Sequence, residues 1–166
     1  MAWTESRLFR QYIADLIGNT IANSTADLDA ASALKATLWD NTITPNVDVT
    51  AANSAYGAGV WSTTGGATGT PQVYQAGQWA QGGVVVGTPA ITTVANGIVQ
   101  FSSANIVSGA AATMSNIRGM QIYIDALTTP VADQGLGYWD FGASFNVTSG
   151  LLTITPNANG LFRITT

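Results

Sequence analysis

The sequence contains no histidine, no cysteine and a single lysine among its 166 residues. Without histidine, the chain lacks the usual general base and the commonest transition-metal ligand. Without cysteine, it has neither disulfides nor a thiolate nucleophile. Ser-His-Asp and Cys-His arrangements are therefore impossible, and a zinc site is nearly excluded. We expect a protein that is not an enzyme and that holds no metal and no cofactor.

Charge is also scarce. Asp, Glu, Lys and Arg together make up 8% of the chain, whereas 46% of the residues are hydrophobic. About a quarter of the residues in an average globular domain are charged, and soluble monomers use that charge to discourage association. The hydrophobic content excludes a disordered polar tract. The composition therefore favours a folded protein that is surrounded by partners or by copies of itself.

The few cations are scattered along the sequence, and the net charge is −4. Nucleic-acid binding needs several clustered cations to neutralise phosphates, so we expect no contact with nucleic acid. No apolar run approaches the roughly 20 residues of a membrane helix, so we expect no membrane contact. Charged residues interrupt the apolar pattern of the N-terminal segment, so we also expect no export signal. The basic residues are Arg7, Arg10, Lys35, Arg118 and Arg163.

Carboxylates are the remaining candidates for chemistry. Glycoside hydrolysis needs two carboxyl groups that face each other across a cleft, and the sequence does not place Asp125, Asp133 or Asp140 in this way. Asp27 and Asp29 form an Asp-x-Asp pair in a segment of turn-forming composition. Calcium binding there is a minor alternative, because no complete ligand loop accompanies the pair.

The N-terminus carries an amphipathic pattern that predicts a helix over residues 4–17. Thr4 can cap its start and Gly18 can end it, and its broad apolar face includes Leu8, Tyr12 and Leu16. We expect a helix or arm over residues 1–19, followed by a single β-domain over residues 20–166. Packing of the helix on its own sheet is favoured, and docking on a neighbouring subunit is the alternative.

The rest of the chain shows short strand patterns separated by turns rich in Gly, Asn and Pro. Alternation of apolar and polar residues at 34–38 and 120–125 is typical of half-buried strands. Asn96-Gly97 predicts a tight hairpin, and residues 154–164 predict a closing hairpin with Leu152, Ile154, Phe162 and Ile164 towards the core. The predicted fold is mainly β, an antiparallel β-sandwich or jelly-roll-like barrel with a short N-terminal α-helix. Strands are predicted at residues 34–38, 60–62, 72–75, 84–86, 90–95, 98–101, 120–125, 136–141, 151–155 and 161–165.

Aromatic residues stand out in the long loops of residues 49–87. A sugar-stacking platform could be formed by Trp61, Tyr74, Trp79, Tyr138 and Trp139, although such side chains more often fill or cap a core. Recognition concentrates on loops held by a rigid scaffold, so these loops are the first candidate contact surface and the N-terminal helix is the second. The candidate partner-binding residues are Leu8, Tyr12, Leu16, Tyr56, Trp61, Tyr74 and Trp79.

Five segments of the chain form a recognisable series. They are LKATLWDNTITPNVDVTAANSAY (34–56), VYQAGQWAQGGVVV (73–86), IRGMQIYI (117–124), VADQGLGYWDFG (131–142) and LLTITPNANGLFRI (151–164). In this order they resemble a family of small structural proteins of tailed bacteriophages, with a mild departure at Gln81, which precedes the Gly-Gly pair of the second segment. The resemblance implies a β-sandwich or jelly-roll-like decoration or minor head protein that binds the major capsid protein.

The resemblance and the composition together predict a capsid decoration protein. Such a protein sits on the exterior of the virion and stabilises the shell. We expect a homotrimer at threefold or quasi-threefold positions, in line with the symmetry that is general among homo-oligomers. The alternative is a tail- or fibre-associated adhesion module that binds host-surface glycans, which requires an exposed aromatic platform. A carboxylate-based glycan hydrolase is a third and weaker hypothesis.

Overall fold

The computed structural model describes residues 3–18, 20–21, 28, 34–64, 70–95, 97–125 and 127–165. Strands account for 44% and helices for 10% of the structure, and the sheets are antiparallel. The predicted class, mainly β with a sandwich-like arrangement, is confirmed, and the described strands close no barrel.

The helices are α1 (Arg10–Ile17) and α2 (Ala51–Ser54), with a 3₁₀ turn at Gly59–Trp61. The strands are β1 (Arg7–Leu8), β2 (Leu34–Trp39), β3 (Gln72–Val73), β4 (Val84–Val85), β5 (Ala90–Val94), β6 (Ile98–Ser102), β7 (Ile106–Val107), β8 (Ala112–Ile124), β9 (Gly135–Gly150), β10 (Thr153–Ile154) and β11 (Phe162–Thr165).

The strands form one large sheet and two small ones. The main sheet has the order β1-β9-β8-β2-β3, and β4 also pairs with β2. Its centre is the long hairpin of β8 and β9, whose register shifts several times along its length. The second sheet has the order β11-β6-β5, and β7 pairs with β10 in the third. The hairpin predicted around Asn96-Gly97 is confirmed in its two strands, because β5 pairs with β6 and Val94 lies opposite Ile98; Asn96 itself lies outside the described residues.

Both faces of the main sheet are buried at its centre. The β2–β8 register places Leu34, Ala36 and Leu38 beside Ile124, Ile122 and Met120, and all six are buried. Thr37 and Gln121 are paired on the opposite face, and both are fully buried as well. The prediction of half-buried strands is therefore wrong here. The reason is that the N-terminal segment and the loops cover the face that the alternation left for solvent.

Hydrogen bonds satisfy the polar side chains that β2 and β8 place on this covered face. Trp39 Nε1 donates to Thr37 Oγ1 at 2.9 Å. Gln121 Nε2 donates to the carbonyl oxygen of Ser54 at 2.8 Å, which ties α2 to the sheet. Nearby, the Tyr123 hydroxyl donates to the carbonyl oxygen of Gly82 at 2.7 Å. Because buried polar groups are tolerated only with partners, this network explains how polar strand residues lie inside.

An aromatic cluster covers the same face, with Trp61 at its centre. The Trp61 ring contacts Trp39 at 5.3 Å, Trp3 at 5.8 Å and Phe9 at 6.1 Å between centroids, all edge-on. Edge-to-face contacts of this kind suit the quadrupoles of aromatic rings. Trp3 lies directly over Gly119 of β8, where any Cβ would overlap its ring. The sequence Arg118-Gly119 therefore provides space for the N-terminal tryptophan.

The N-terminal segment differs from its prediction in one respect. The helix begins at Arg10 rather than at Thr4, and the residues before it form β1 along β9. The backbone N–H of Phe9 then donates to the carbonyl oxygen of Leu136 at 3.1 Å. Arg7 and Leu8 thereby lie opposite Tyr138 and Gly137 of β9, so this part of the segment takes strand partners instead of continuing the helix. Phe9 and Tyr12 are buried in the common core, so the predicted packing of α1 on its own sheet is confirmed.

Two further predictions are wrong. Residues 60–62 were predicted as a strand, but Gly59–Trp61 is a 3₁₀ turn that places Trp61 in the core. The closing hairpin also fails, because β10 pairs with β7 while β11 pairs with β6. The turn itself forms, with a bridge between Asn157 and Gly160, but its two arms join different sheets. Leu152 is buried as predicted, whereas 42% of Ile164 is exposed.

Candidate interaction surfaces

Two of the candidate carboxylates, Asp125 and Asp140, form ion pairs within the fold. Asp140 forms a mostly buried ion pair with Arg118 at 2.9 Å, and Asp125 pairs with Lys35 at 2.9 Å. Burial and the nearby charge of Asp125 raise the pKa of Asp133, while Lys35 lowers it. Asp27 and Asp29, the minor calcium alternative, lie outside the described residues. Within the described ranges, no three acidic residues are grouped so that they could hold a metal ion.

Three of the seven candidate partner-binding residues belong to the core, so their prediction as contact residues is wrong. Tyr12, Trp61 and Trp79 are buried, and Trp79 Nε1 donates to the carbonyl oxygen of Ala36 in the main sheet. The large aromatic side chains of these Gly-rich loops pack into the core and hold the loops against the main sheet. Trp139 is half-buried and donates from Nε1 to the carbonyl oxygen of Leu161 at 2.9 Å. The three loop and strand tryptophans are therefore not displayed together.

The other four candidates keep some contact with solvent. Leu8 and Tyr56 are half-buried, and the Tyr56 ring stacks on Tyr123 at 4.7 Å between centroids. Leu16 is 42% and Tyr74 is 44% exposed. Of the predicted loop surface at residues 49–87, the part at residues 65–69 lies outside the described residues.

The sheet β11-β6-β5 is a surface that the sequence did not single out. Its register aligns Ile91, Phe101 and Phe162 in one row and Thr93, Val99 and Ile164 in the next row of the same face. Phe101 is buried against the core, whereas 45% of Ile91 and 42% of Ile164 are exposed. This face is apolar except for one threonine, and the domain covers only part of it.

The edges of this sheet are open. In the described part of the chain, β5 and β11 pair only with β6. Natural proteins protect open edges with charges, prolines or bulges. β5, with the sequence AITTV, contains neither charge nor proline, and Arg163 is the only charged residue in the three strands. The sequence carried one signal for this surface, because the two strand patterns on either side of the Asn-Gly turn contain no charged residue.

Comparison of the chain with protein-family models, with curated proteins and with solved structures yields no match. The resemblance to phage structural proteins therefore stays an expectation based on the five segments. Among the described residues, no helix has the length and apolar character needed to cross a membrane.

Proposed function

We propose that this protein is a non-enzymatic structural component of a tailed-phage virion, which binds the outside of the capsid and stabilises the shell as a homotrimer. The observation that carries the proposal is the partly uncovered apolar face of β11-β6-β5, together with its open, charge-free β5 edge. A monomer would leave Ile91 and Ile164 in water and the outer backbone groups of β5 without strand partners. Contact with a neighbouring chain removes both costs.

A capsid suits an interface of this size and kind. Each contact through a three-stranded sheet is modest, but a lattice presents its partner site many times, so linked contacts gain by avidity. Closed cyclic symmetry would bring three such sheets to equivalent positions. The partner in this proposal is the major capsid protein, and copies of the chain itself complete the trimer.

Low charge predicts how this contact responds to salt. Apolar burial and backbone hydrogen bonds are screened weakly by ions, whereas contacts between exposed charges are lost within a Debye length. The exposed part of the sheet contributes one charged residue, Arg163. We therefore expect capsid binding that persists at high ionic strength.

The adhesion module is less well supported by the same structure. Glycan stacking would need several aromatic rings displayed side by side, and Trp61 and Trp79 lie in the core. Tyr74 is exposed, but a single ring is a common feature of protein surfaces. No specific observation favours this alternative over the capsid.

The proposal can be tested with purified protein and capsids that lack it. Binding should saturate, and it should change little between about 0.1 M and about 1 M salt. Replacing both exposed isoleucines of the sheet (Ile91→Thr with Ile164→Thr) keeps the β-branched shape and should abolish saturable binding. The matched control is Ile17→Thr at the end of α1, where 80% of the side chain is exposed, and it should bind normally. Loss of wild-type binding in high salt, or binding to cell walls but not to capsids, would contradict the proposal.

A further inference from the structure

A groove between the N-terminal segment and the last strand brings together cations that are far apart in sequence. Its volume is about 440 Å³, and it is lined by β1, α1, Trp139 of β9 and residues 161–163. Arg7, Arg10 and Arg163 all line it, which is three of the five basic residues in the chain. The prediction that the cations are scattered is therefore wrong for these three residues, which line one groove in the folded chain.

The three guanidinium groups differ in how far they are neutralised. Arg7 pairs with Glu5 at 2.6 Å, and Arg10 pairs with Asp48 at 2.6 Å. Arg163 instead donates from Nε and Nη2 to the neutral Oε1 of Gln100 at 2.8 and 2.6 Å. Among the described residues it has no acidic partner, so its charge is available to a ligand.

Apart from the arginines, Glu5 and Ser6, the groove is lined by apolar and aromatic residues, which we call its floor. They are Leu8, Ile13, Val47, Trp139, Leu161 and Phe162. A second groove of about 380 Å³ shares Ser6, Trp139 and Leu161 with the first, and its lining also includes Ile154, Pro156 and Asp140, the ion-pair partner of Arg118. Because the two grooves share residues, we treat them as one channel, with the arginines in its first part and a mainly apolar lining in its second. Such a channel suits an extended chain rather than a small ion.

We propose that this channel binds an extended peptide segment of a partner protein in which acidic and apolar side chains alternate. In a strand-like segment, alternate side chains point in opposite directions, so one set can meet the arginines while the other packs on Trp139 and Phe162. Arginine presents a planar fork that matches a carboxylate in a bidentate pair. Arg163 is the residue we assign to this pairing.

Nucleic acid fits the channel less well than an acidic peptide. Phosphate binding gains from several cations that release counterions together, and two of the three arginines already have carboxylate partners. A peptide needs only one free guanidinium and uses the apolar floor, which a phosphate backbone would leave unused. We therefore favour a peptide with acidic and apolar side chains, because the groove combines an apolar floor with one arginine, Arg163, that has no acidic partner among the described residues.

A labelled synthetic peptide tests the inference by fluorescence anisotropy on the full chain. The probe is a peptide of about eight residues, roughly 26 Å when extended, with alternating Glu and Leu. Its control has Gln in place of every Glu. The Glu peptide should bind more tightly, and its affinity should fall as salt rises. Arg163→Gln should weaken binding of the Glu peptide about tenfold, the scale of a charged hydrogen-bonded pair.

Lys35→Gln is the matched control variant, because it removes one positive charge outside the groove. It should change the affinity by less than about twofold. Arg163 is exposed, and unchanged melting of Arg163→Gln would show that the variant is folded. Equal affinities for the Glu and Gln peptides, equal losses in both variants, or preferential binding of a single-stranded oligonucleotide would overturn the inference. Capsid binding in high salt depends on the isoleucines and peptide binding in low salt on Arg163, so the two proposals fail separately.

Discussion

The main sheet and the sheet β11-β6-β5 are both antiparallel and have few charged residues in their strands, but they differ in how far the chain covers them. At the centre of the main sheet, both faces are covered, and even Thr37 and Gln121 are fully buried with hydrogen-bond partners. In the smaller sheet, Phe101 is buried, but Ile91 and Ile164 face solvent and both outer edges lack partner strands among the described residues. The chain covers the centre of the main sheet on both faces, whereas the smaller sheet has room for a neighbour.

This difference shows what low charge achieves in each place. In the main sheet, uncharged polar residues can be buried because neutral hydrogen bonds compensate them at modest cost. In the smaller sheet, the same neutrality leaves nothing to repel an approaching strand. The low charge of the chain therefore permits both the covered centre of the main sheet and the partly uncovered face of the smaller sheet. Three substitutions test how sharply the two regions differ in stability.

The largest effect is expected at the centre of the aromatic cluster. Trp61→Ala should reduce the free energy of unfolding by about 3–5 kcal/mol, because it opens a cavity between Trp3, Trp39 and Phe9. Chemical denaturation measures this loss. Tyr74→Ala is the control, because its exposed ring should contribute only about 0.5 kcal/mol or less. Similar losses in both variants would mean that Trp61 is not at the centre of the core.

A smaller effect is expected from the ion pair between β8 and β9. The Arg118 and Asp140 side chains are 13% and 10% exposed, and Arg118 also donates to the carbonyl oxygen of Trp3 at 3.0 Å. Arg118→Met should cost about 3 kcal/mol, because it leaves the Asp140 carboxylate poorly solvated and without its cation. Lys35→Met, which breaks a more exposed pair, should cost about 1 kcal/mol or less. Equal costs would show that burial does not distinguish the two pairs.

The smallest of the three effects is expected in the smaller sheet. Phe162 is half-buried and stacks on Phe101 at 5.0 Å between centroids. Phe162→Ala should therefore cost about 1–2 kcal/mol, less than the loss for a fully buried ring. Phe101→Ala, the buried partner, should cost about 3–5 kcal/mol. If Phe162→Ala proved as costly as Phe101→Ala, the uncovered face of this sheet would be in doubt.

The sequence predicted most strands and one hairpin correctly, because these depend on local patterns. β2, β5 and β6 were found from their apolar residues and from the Asn-Gly turn. The alternation of apolar and polar residues gave the wrong burial for Thr37 and Gln121, because the pattern assumes that one face of the sheet is in contact with water. The closing hairpin failed because turn residues such as Asn157 and Gly160 reverse the chain without choosing which strand each arm joins.

The candidate surfaces were harder to predict than the fold. Burial of Trp61 and Trp79 depends on what the loops cover, and nothing in the sequence around them separates an anchor from a contact. The groove escaped notice because Arg7 and Arg163 are separated by almost the whole chain. Only the pairing of β1 with β9, and the position of β11 beside them, brings these residues together.

The position of Trp3 has a consequence for biosynthesis. Its partners Gly119 and Arg118 lie more than a hundred residues further along the chain, with a separation of 115 residues for its hydrogen bond to Arg118. During synthesis, Trp3 and Phe9 leave the ribosome long before the residues of β8 and β9 have been made. Their side chains therefore have no sheet to pack against in the nascent chain. Contacts of such high sequence separation make folding slow and leave apolar surface open to chaperones meanwhile. We therefore expect this domain to acquire its core only after β9 has left the ribosome.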